Sequence, residues 1–425
     1  MKKFIAIVVV LSLAGLAFAA GKSDTGGTGD KPQELVLYST PEWAKSIAPS
    51  LDTFTEKNGI KVNVVVVPYD QLFNQLTTSI VGGKSIDVTE VDPPWLAEMN
   101  KQGMVLKLND KVGKDVLDQY MPASIDLMSV NRDLVALPMV AGIPYFFYNA
   151  DMLRSLGYAK APESWAQLEE ISLKAIKSGA ADHGIFMGLA PLEGFMVYMD
   201  VFIKLYGGDW ISADKKTFTF NNEAGVAALT YMKKLIDYGV VPRASLETGD
   251  RDSLNTFLAG RAPFHFNWGF TYGIMKDASM SKVTGSIQSA LVPGISKRSY
   301  TTMGGGGYAV PSTTKNQKWA VELAKWLTTG DAPKAMLASR GSDMALSSLY
   351  EDKTVFDKYP LLNTYVEQLK YAGVRPSAFL SWYSEFRDNF FLPQAHKALL
   401  GQIGIKEALN QAQAEAQKRL DKEGL

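Results

Sequence analysis

Residues 34–95 read ELVLYSTPEWAKSIAPSLDTFTEKNGIKVNVVVVPYDQLFNQLTTSIVGGKSIDVTEVDPPW, and the alternation inside this stretch decides the fold. An apolar run at 35–38 gives way to Trp43, Ile47, Leu51 and Phe54 at helical spacing, closed by Gly59, a residue suited to ending a helix. Residues 61–67 are β-branched and continuous, the pattern of a strand buried on both faces, and Phe73, Leu76 and Ile80 then mark a second helix ending near Gly82 and Gly83. A third strand at 86–91 runs into Asp92-Pro93-Pro94-Trp95 and another short helix. Three strand–helix units in a row predict a parallel sheet with helices on its faces, and such sheets bind ligands beyond the carboxyl ends of their strands. The rule selects the loops 39–43, 68–71 and 92–95.

The rest of the chain continues in this style without a repeat of 20 to 50 residues, which argues against solenoids and propellers. Residues 151–156 predict a short helix capped by Gly157, and Ser164-Trp165-Ala166-Gln167 is a capping box opening another. Asn221 or Asn222 caps a helix closed by Gly239. A strand is expected at 262–268, a helix at 316–327, and a C-terminal helix at 405–420.

The chain has 425 residues, 46% of them hydrophobic, which at roughly 150 residues per domain gives two or three domains with sizeable cores. Forty-four Lys and Arg against 44 Asp and Glu leave no basic excess for neutralising phosphates, so nucleic acid is not an expected partner. There is no cysteine, and His183, His265 and His396 are far apart, which rules out disulfides and thiol catalysis and argues against zinc; no metal and no cofactor is expected. Lys2 and Lys3, the apolar run 4–16 and Ala17-Phe18-Ala19 form a secretory signal over 1–19, too short for the roughly 20 apolar residues of a membrane span. No cysteine stands at the junction to take a lipid. Residues 20–32 read as a flexible leader, and the expected location is the periplasm or outside the cell.

Catalytic motifs fail on their spacing. Gly83-Lys84-Ser85 has Thr78 where a phosphate-binding loop needs its first glycine, and Ala309 stands where the dinucleotide fingerprint would place its last. Neither Gly-x-Ser-x-Gly nor His-Glu-x-x-His occurs. The carboxylate pair of a glycosidase has no fixed sequence spacing, so an exported glycoside hydrolase is the alternative enzyme reading. His265, between Phe264 and Phe266, is expected to face solvent or to be hydrogen-bonded.

Several landmarks keep a familiar order: Asp87-Val88 before Asp92 and Trp95, then Gly103-Met104-Val105-Leu106-Lys107-Leu108 and Tyr148-Asn149-Ala150-Asp151. Pro162-Glu163-Ser164-Trp165, Phe257-Leu258-Ala259-Gly260-Arg261-Ala262 and Asn267-Trp268 follow, then Gly304-Gly305 and Leu400-Gly401 before Glu407. Over roughly residues 35–420 this order resembles the extracellular solute-binding proteins of ABC importers, in the class that includes maltose-binding protein. Asn267-Trp268 with Phe270 and Tyr272, Gly304-Gly305, Leu349-Tyr350-Glu351-Asp352 and Arg375-Pro376 resemble its trehalose/maltose-binding branch. The chain departs from that branch at Gly306, where the branch has tryptophan, at Phe266, and at Met139-Val140-Ala141.

The resemblance implies an α/β, two-lobed periplasmic-binding-protein fold of type II, with discontinuous lobes, a hinge and an interlobe cleft. One lobe is expected to take 33–142 and 296–330, the other 143–295 and 331–425. It further implies a monomeric, non-catalytic carrier that passes a di- or oligosaccharide to the permease subunits of an ABC importer.

Sugar hydroxyls need charged or amide partners, and sugar C–H faces suit flat rings. Glu42 and Trp43, Asp92 and Trp95, Trp268, and Trp382 with Tyr383 carry that mixture, while Tyr145 is placed at the hinge. Tyr272, Gly304, Gly305 and Arg375 join them through the resemblance. Asp92, at a strand's carboxyl end, is the leading polar candidate. Trp268 is expected to be a stacking platform, and Gly306 to leave extra room beside Gly305.

Overall fold

The computed structural model describes residues 31–341 and 343–423. The signal expected at 1–19 lies outside the described residues, as does the leader at 20–32 except for Lys31 and Pro32.

Strands β1 (Glu34–Ser39), β2 (Lys61–Val66) and β3 (Val88–Val91) alternate with helices α1 (Pro41–Asn58), α2 (Tyr69–Val81) and α3 (Pro93–Lys101). Gly59 ends α1 in the left-handed conformation, φ 60°, where glycine has no Cβ to clash. β1 pairs in parallel with β2 and β3, and the strands Gly306–Ala309 and Leu137–Val140 complete a five-stranded sheet. β2 departs from expectation. It is the edge of the sheet and alternates exposed with half-buried residues instead of being covered on both faces. A run of valines states only that the backbone is extended; pairing on one side decides which faces are covered.

A second, four-stranded sheet has the order Ile287–Ala290, Pro144–Asn149, Phe264–Trp268, Ile185–Phe186, mostly antiparallel. Each sheet carries its own core. Leu37, Val88, Leu137, Tyr308 and Leu323 belong to the first, and Phe146, Trp165, Phe202, Phe264 and Leu409 to the second. Ala332, Met336, Leu337, Met344 and Leu349 pack into the first core, although 331–425 was expected to belong with 143–295. The reason is that helix Asp331–Arg340 lies on α1.

The two bodies are joined where separate segments run side by side. Gly142 and Gly304 exchange both backbone hydrogen bonds, at 3.0 and 2.8 Å, and Ala141 N–H donates to the carbonyl of Asp343 at 3.0 Å. The Tyr365 hydroxyl donates to the Ala141 carbonyl at 2.7 Å. Gly305 has φ 126°, and a Cβ there would overlap the Val140 carbonyl oxygen, so only glycine fits. Among the described residues no helix is long and apolar enough to cross a membrane.

Candidate functional site

β3 delivers Asp92 to the start of α3. An aspartate here would ordinarily cap the helix, but Pro94 has no N–H to receive it, and the Trp95 N–H already bonds the Asp92 carbonyl at 3.0 Å. The carboxylate turns instead to Tyr69, whose hydroxyl donates to Oδ2 at 2.6 Å. The Tyr69 ring stacks on Trp95 with centroids 5.6 Å apart, and Trp95 stacks on Phe73 at 5.5 Å. Trp95 is the buried middle of this stack and Tyr69 its open end.

The facing wall comes from the second sheet's body. Glu193, the first residue of helix Glu193–Leu205, pairs with Arg375 at 3.3 Å and with Arg387 at 3.1 Å, and accepts the Tyr383 hydroxyl at 2.9 Å. Arg375 is buried, and its guanidinium sits 5.6 Å from the centroid of the partly exposed Trp268 ring. Its Nη1 makes no hydrogen bond among the described residues. The Trp268 indole lies near enough to Asp250 to act on its carboxyl group, and the Asp250 carbonyl accepts from Asn267 Nδ2 at 2.7 Å. Asp250 is seated against Gly188 and Gly194, where any Cβ would crowd its carboxyl group.

Electrostatics ties the walls together. Burial pushes the Asp92 carboxyl up to about 7 against the lowering effect of the Tyr69 hydrogen bond and of Arg375, and Glu193 and Arg387 also act on it. Burial likewise raises Asp250 to about 7, with Glu193 adding to the shift. Glu90, one residue before the end of β3, is raised by burial to about 7 even though Ser39 and Thr40 donate to it at 2.7–3.0 Å.

The structure therefore gathers Asp92, Trp268, Arg375 and Tyr383, with Trp95 behind Tyr69 and Gly304 beneath Trp268. The other candidates lie elsewhere. Glu42 is exposed on the first turn of α1. Trp43 is buried edge-on to Tyr308, 5.5 Å between centroids, and its Cη2 stands 3.0 Å from where a Gly306 Cβ would be. The room expected from Gly306 is thus filled by Trp43. Tyr145 is buried between Phe147 and Tyr365, and Tyr272 stacks on Phe147 at 6.1 Å. Trp382 packs in the second core with Phe218 and Phe386 beneath Arg419. Gly305 shapes the backbone. Met139, Val140 and Ala141 are buried. His265 does not face solvent: it is buried between Phe147 and Phe257, and among the described residues neither ring nitrogen has a hydrogen-bond partner.

Four residues of the site escaped the sequence. Tyr69 lies in the 68–71 loop that the strand-end rule selects, so position signalled it. Glu193, Asp250 and Arg387 carry no local signal, because only the folded chain brings them to Arg375.

A family model described as bacterial extracellular solute-binding protein matches residues 39–332. The chain is 26% identical over 403 residues to a Deinococcus radiodurans protein named "Probable ABC transporter-binding protein", with 92% of each covered. It is 24% identical over 384 residues to the galactooligosaccharide-binding protein of Bacillus subtilis strain 168, covering 87% of this chain and 86% of that one. Among solved structures, maltose-bound T. maritima MalE3 matches with a TM-score of 0.83 at 22% identity, over 91% of this chain and 99% of the other.

Proposed function

Because the chain belongs to the bacterial extracellular solute-binding proteins, we propose that it captures a neutral sugar, a di- or oligosaccharide, between its two sheet-bearing bodies and presents it to the permease subunits of an ABC importer. The family is non-catalytic, which removes the glycoside-hydrolase alternative. The observation that carries the sugar reading is the composition of the two walls. Tyr69 and Asp92 stand on one side; Trp268, Arg375, Tyr383 and the Glu193–Arg387 pair stand on the other.

Both arginines are already paired with Glu193, and above about pH 7 Asp92 and Asp250 add further negative charge. An anionic solute, such as a sugar acid or the carboxylate of an amino acid, would compete with Glu193 for both arginines. A hydroxyl suits the site because it both donates to a carboxylate and accepts from a guanidinium. Contacts from both walls are complete only when the bodies close on the ligand, so binding shifts the population toward the closed form. Asn267-Trp268 and Arg375-Pro376 support the trehalose/maltose-binding branch, whereas Trp43 beside Gly306 makes a different wall from that branch's tryptophan. We place the hinge at the paired segments 139–143 and 303–305, and the protein outside the membrane as a monomer without a lipid tether.

A thermal-shift screen of neutral sugars, polyols, sugar acids and amino acids tests the reading. A neutral sugar should raise the melting temperature by mass action and be recovered intact by mass spectrometry. Preference for a sugar acid or an amino acid overturns it.

A further inference from the structure

We propose that Tyr69 is the positioning residue of the cleft: its hydroxyl fixes the Asp92 carboxylate in the orientation that meets the ligand's hydroxyls, and its ring forms the wall on that side. This rests on reading the cleft as a site for a neutral hydroxylated ligand. Tyr69 is the one hydrogen-bond partner of the Asp92 side chain among the described residues, at 2.6 Å on Oδ2. The proline pair at 93–94 denies the carboxylate the helix-capping role that would otherwise hold it. Without the tyrosine hydroxyl, no described residue on that side of the cleft would hydrogen-bond the Asp92 carboxylate.

The ring is held as firmly as the hydroxyl. Trp95 and Phe73 back it in a three-ring stack, and 37% of Tyr69 remains exposed although its neighbour Trp95 is only 6% exposed. A half-open aromatic face braced from behind is what a sugar C–H face stacks on. The groups acting on Asp92 come from every side of the cleft: Tyr69 from α2, Glu90 from β3, Glu193 across the cleft, and Arg375 and Arg387 beside it. Burial and neighbouring acids hold the Tyr69 hydroxyl well above its ordinary range, so it remains a donor throughout. Its hydrogen bond favours the ionised carboxylate, as does Arg375, while Glu90 and Glu193 oppose ionisation.

Tyr69→Phe keeps the stack and removes only the hydroxyl; Tyr69→Ala removes both. The probe is whichever of maltose, trehalose, raffinose and mannitol binds the wild type most tightly, followed by calorimetry from pH 5 to 9. Tyr69→Phe should melt within about 2 °C of the wild type without ligand and lose roughly 5- to 10-fold in affinity at pH 8. The pH below which its affinity declines should move upward, because the bond that disfavours Asp92 protonation is gone. A purely structural role would leave that profile in place. Tyr69→Ala should lose more, roughly 10- to 100-fold. If the wild type binds and Tyr69→Phe matches it in both affinity and pH profile, the role of Tyr69 is overturned while the carbohydrate reading stands. Failure of the wild type to bind all four overturns the carbohydrate reading, and this proposal with it.

Discussion

Gly304 lies so close under the indole of Trp268 that a Cβ built on it would overlap Cη2 and stand 2.7 Å from Cζ3. The same glycine exchanges two backbone hydrogen bonds with Gly142. Trp268, from the second sheet, therefore rests on the segment that joins the two bodies. With Arg375 over one face of the ring and Gly304 at its edge, only the remaining face is left for a ligand.

Gly304→Ala and Gly305→Ala should fail in different ways. At Gly304 the added methyl meets the edge of a partly exposed ring, which can swing aside, so the fold should survive with a small loss of melting temperature and at least about tenfold weaker binding. At Gly305 the methyl meets the Val140 carbonyl oxygen and φ is 126°, so neither the backbone nor its neighbour can yield. A stability loss of about 2–4 kcal/mol is expected there in urea melts. Equal losses of stability in the two variants would contradict this division.

Trp268→Ala should cost about 1–3 kcal/mol of ligand affinity and leave the ligand-free melting temperature close to the wild type. Trp382→Ala is the control. Trp382 is buried among Phe218, Phe386 and Phe390, and truncating such a ring typically costs 3–5 kcal/mol of stability. Tryptophan fluorescence should respond to ligand in the wild type and lose most of that response in Trp268→Ala. A large stability loss in Trp268→Ala with unchanged affinity would move this ring from the cleft to the core.

What was legible in the sequence follows the range of the physics involved. The elements from Glu34 to Lys101 were readable because helix and strand periods are local, and Asp92 was readable because a strand's carboxyl end is a position in the chain. The sequence does not distinguish Trp43, which fills the space at Gly306, from Trp268, because a ring in a core and a ring in a cleft have the same composition. Glu193, Asp250 and Arg387 gain meaning only from Arg375 and Trp268, which are distant in sequence. His265 was misread because strand alternation tells which side a residue faces, whereas here helix Asp250–Leu258 covers that side with Phe257.

His265 should oppose stability as pH falls. Burial lowers its pKa to about 3, against about 6.5 in the unfolded chain. The unfolded state therefore takes up a proton below pH ~6.5 that the folded state refuses until about pH 3, and stability present above ~6.5 is lost across that window as pH falls. His265→Phe removes the window and two buried ring nitrogens that have no hydrogen-bond partner among the described residues. It should melt at or above the wild-type temperature at pH 7 and gain more melting temperature than the wild type as pH is lowered from about 6 to about 5. A lower melting temperature at pH 7 with the wild-type acid slope would exclude this account.

Buried carboxylates act in the opposite sense and outnumber the histidine. Asp92, Glu90 and Asp250 are raised to about 7, and Asp200, which accepts from the Trp210 indole at 2.8 Å and the Tyr300 hydroxyl at 3.1 Å in the second core, to about 6, each chiefly by burial. Their unfolded values lie near 4, so their contribution to stability is complete below that value and is lost as pH rises through about 6 to 7. Four such groups against one histidine predict that the ligand-free melting temperature rises as pH is lowered from about 8 to about 5. Ligand affinity should fall over the same range, because protonation takes from Asp92 the charge that strengthens its bonds to hydroxyls. Asp92→Asn separates the two effects. It should flatten part of the stability rise and remove most of the pH dependence of binding, at a cost of roughly 10- to 150-fold in affinity near pH 8. Calorimetric melts and titrations on the same samples measure both slopes, and a ligand-free melting temperature that falls steadily from pH 8 to pH 5 would show that these carboxylates are not held protonated by burial.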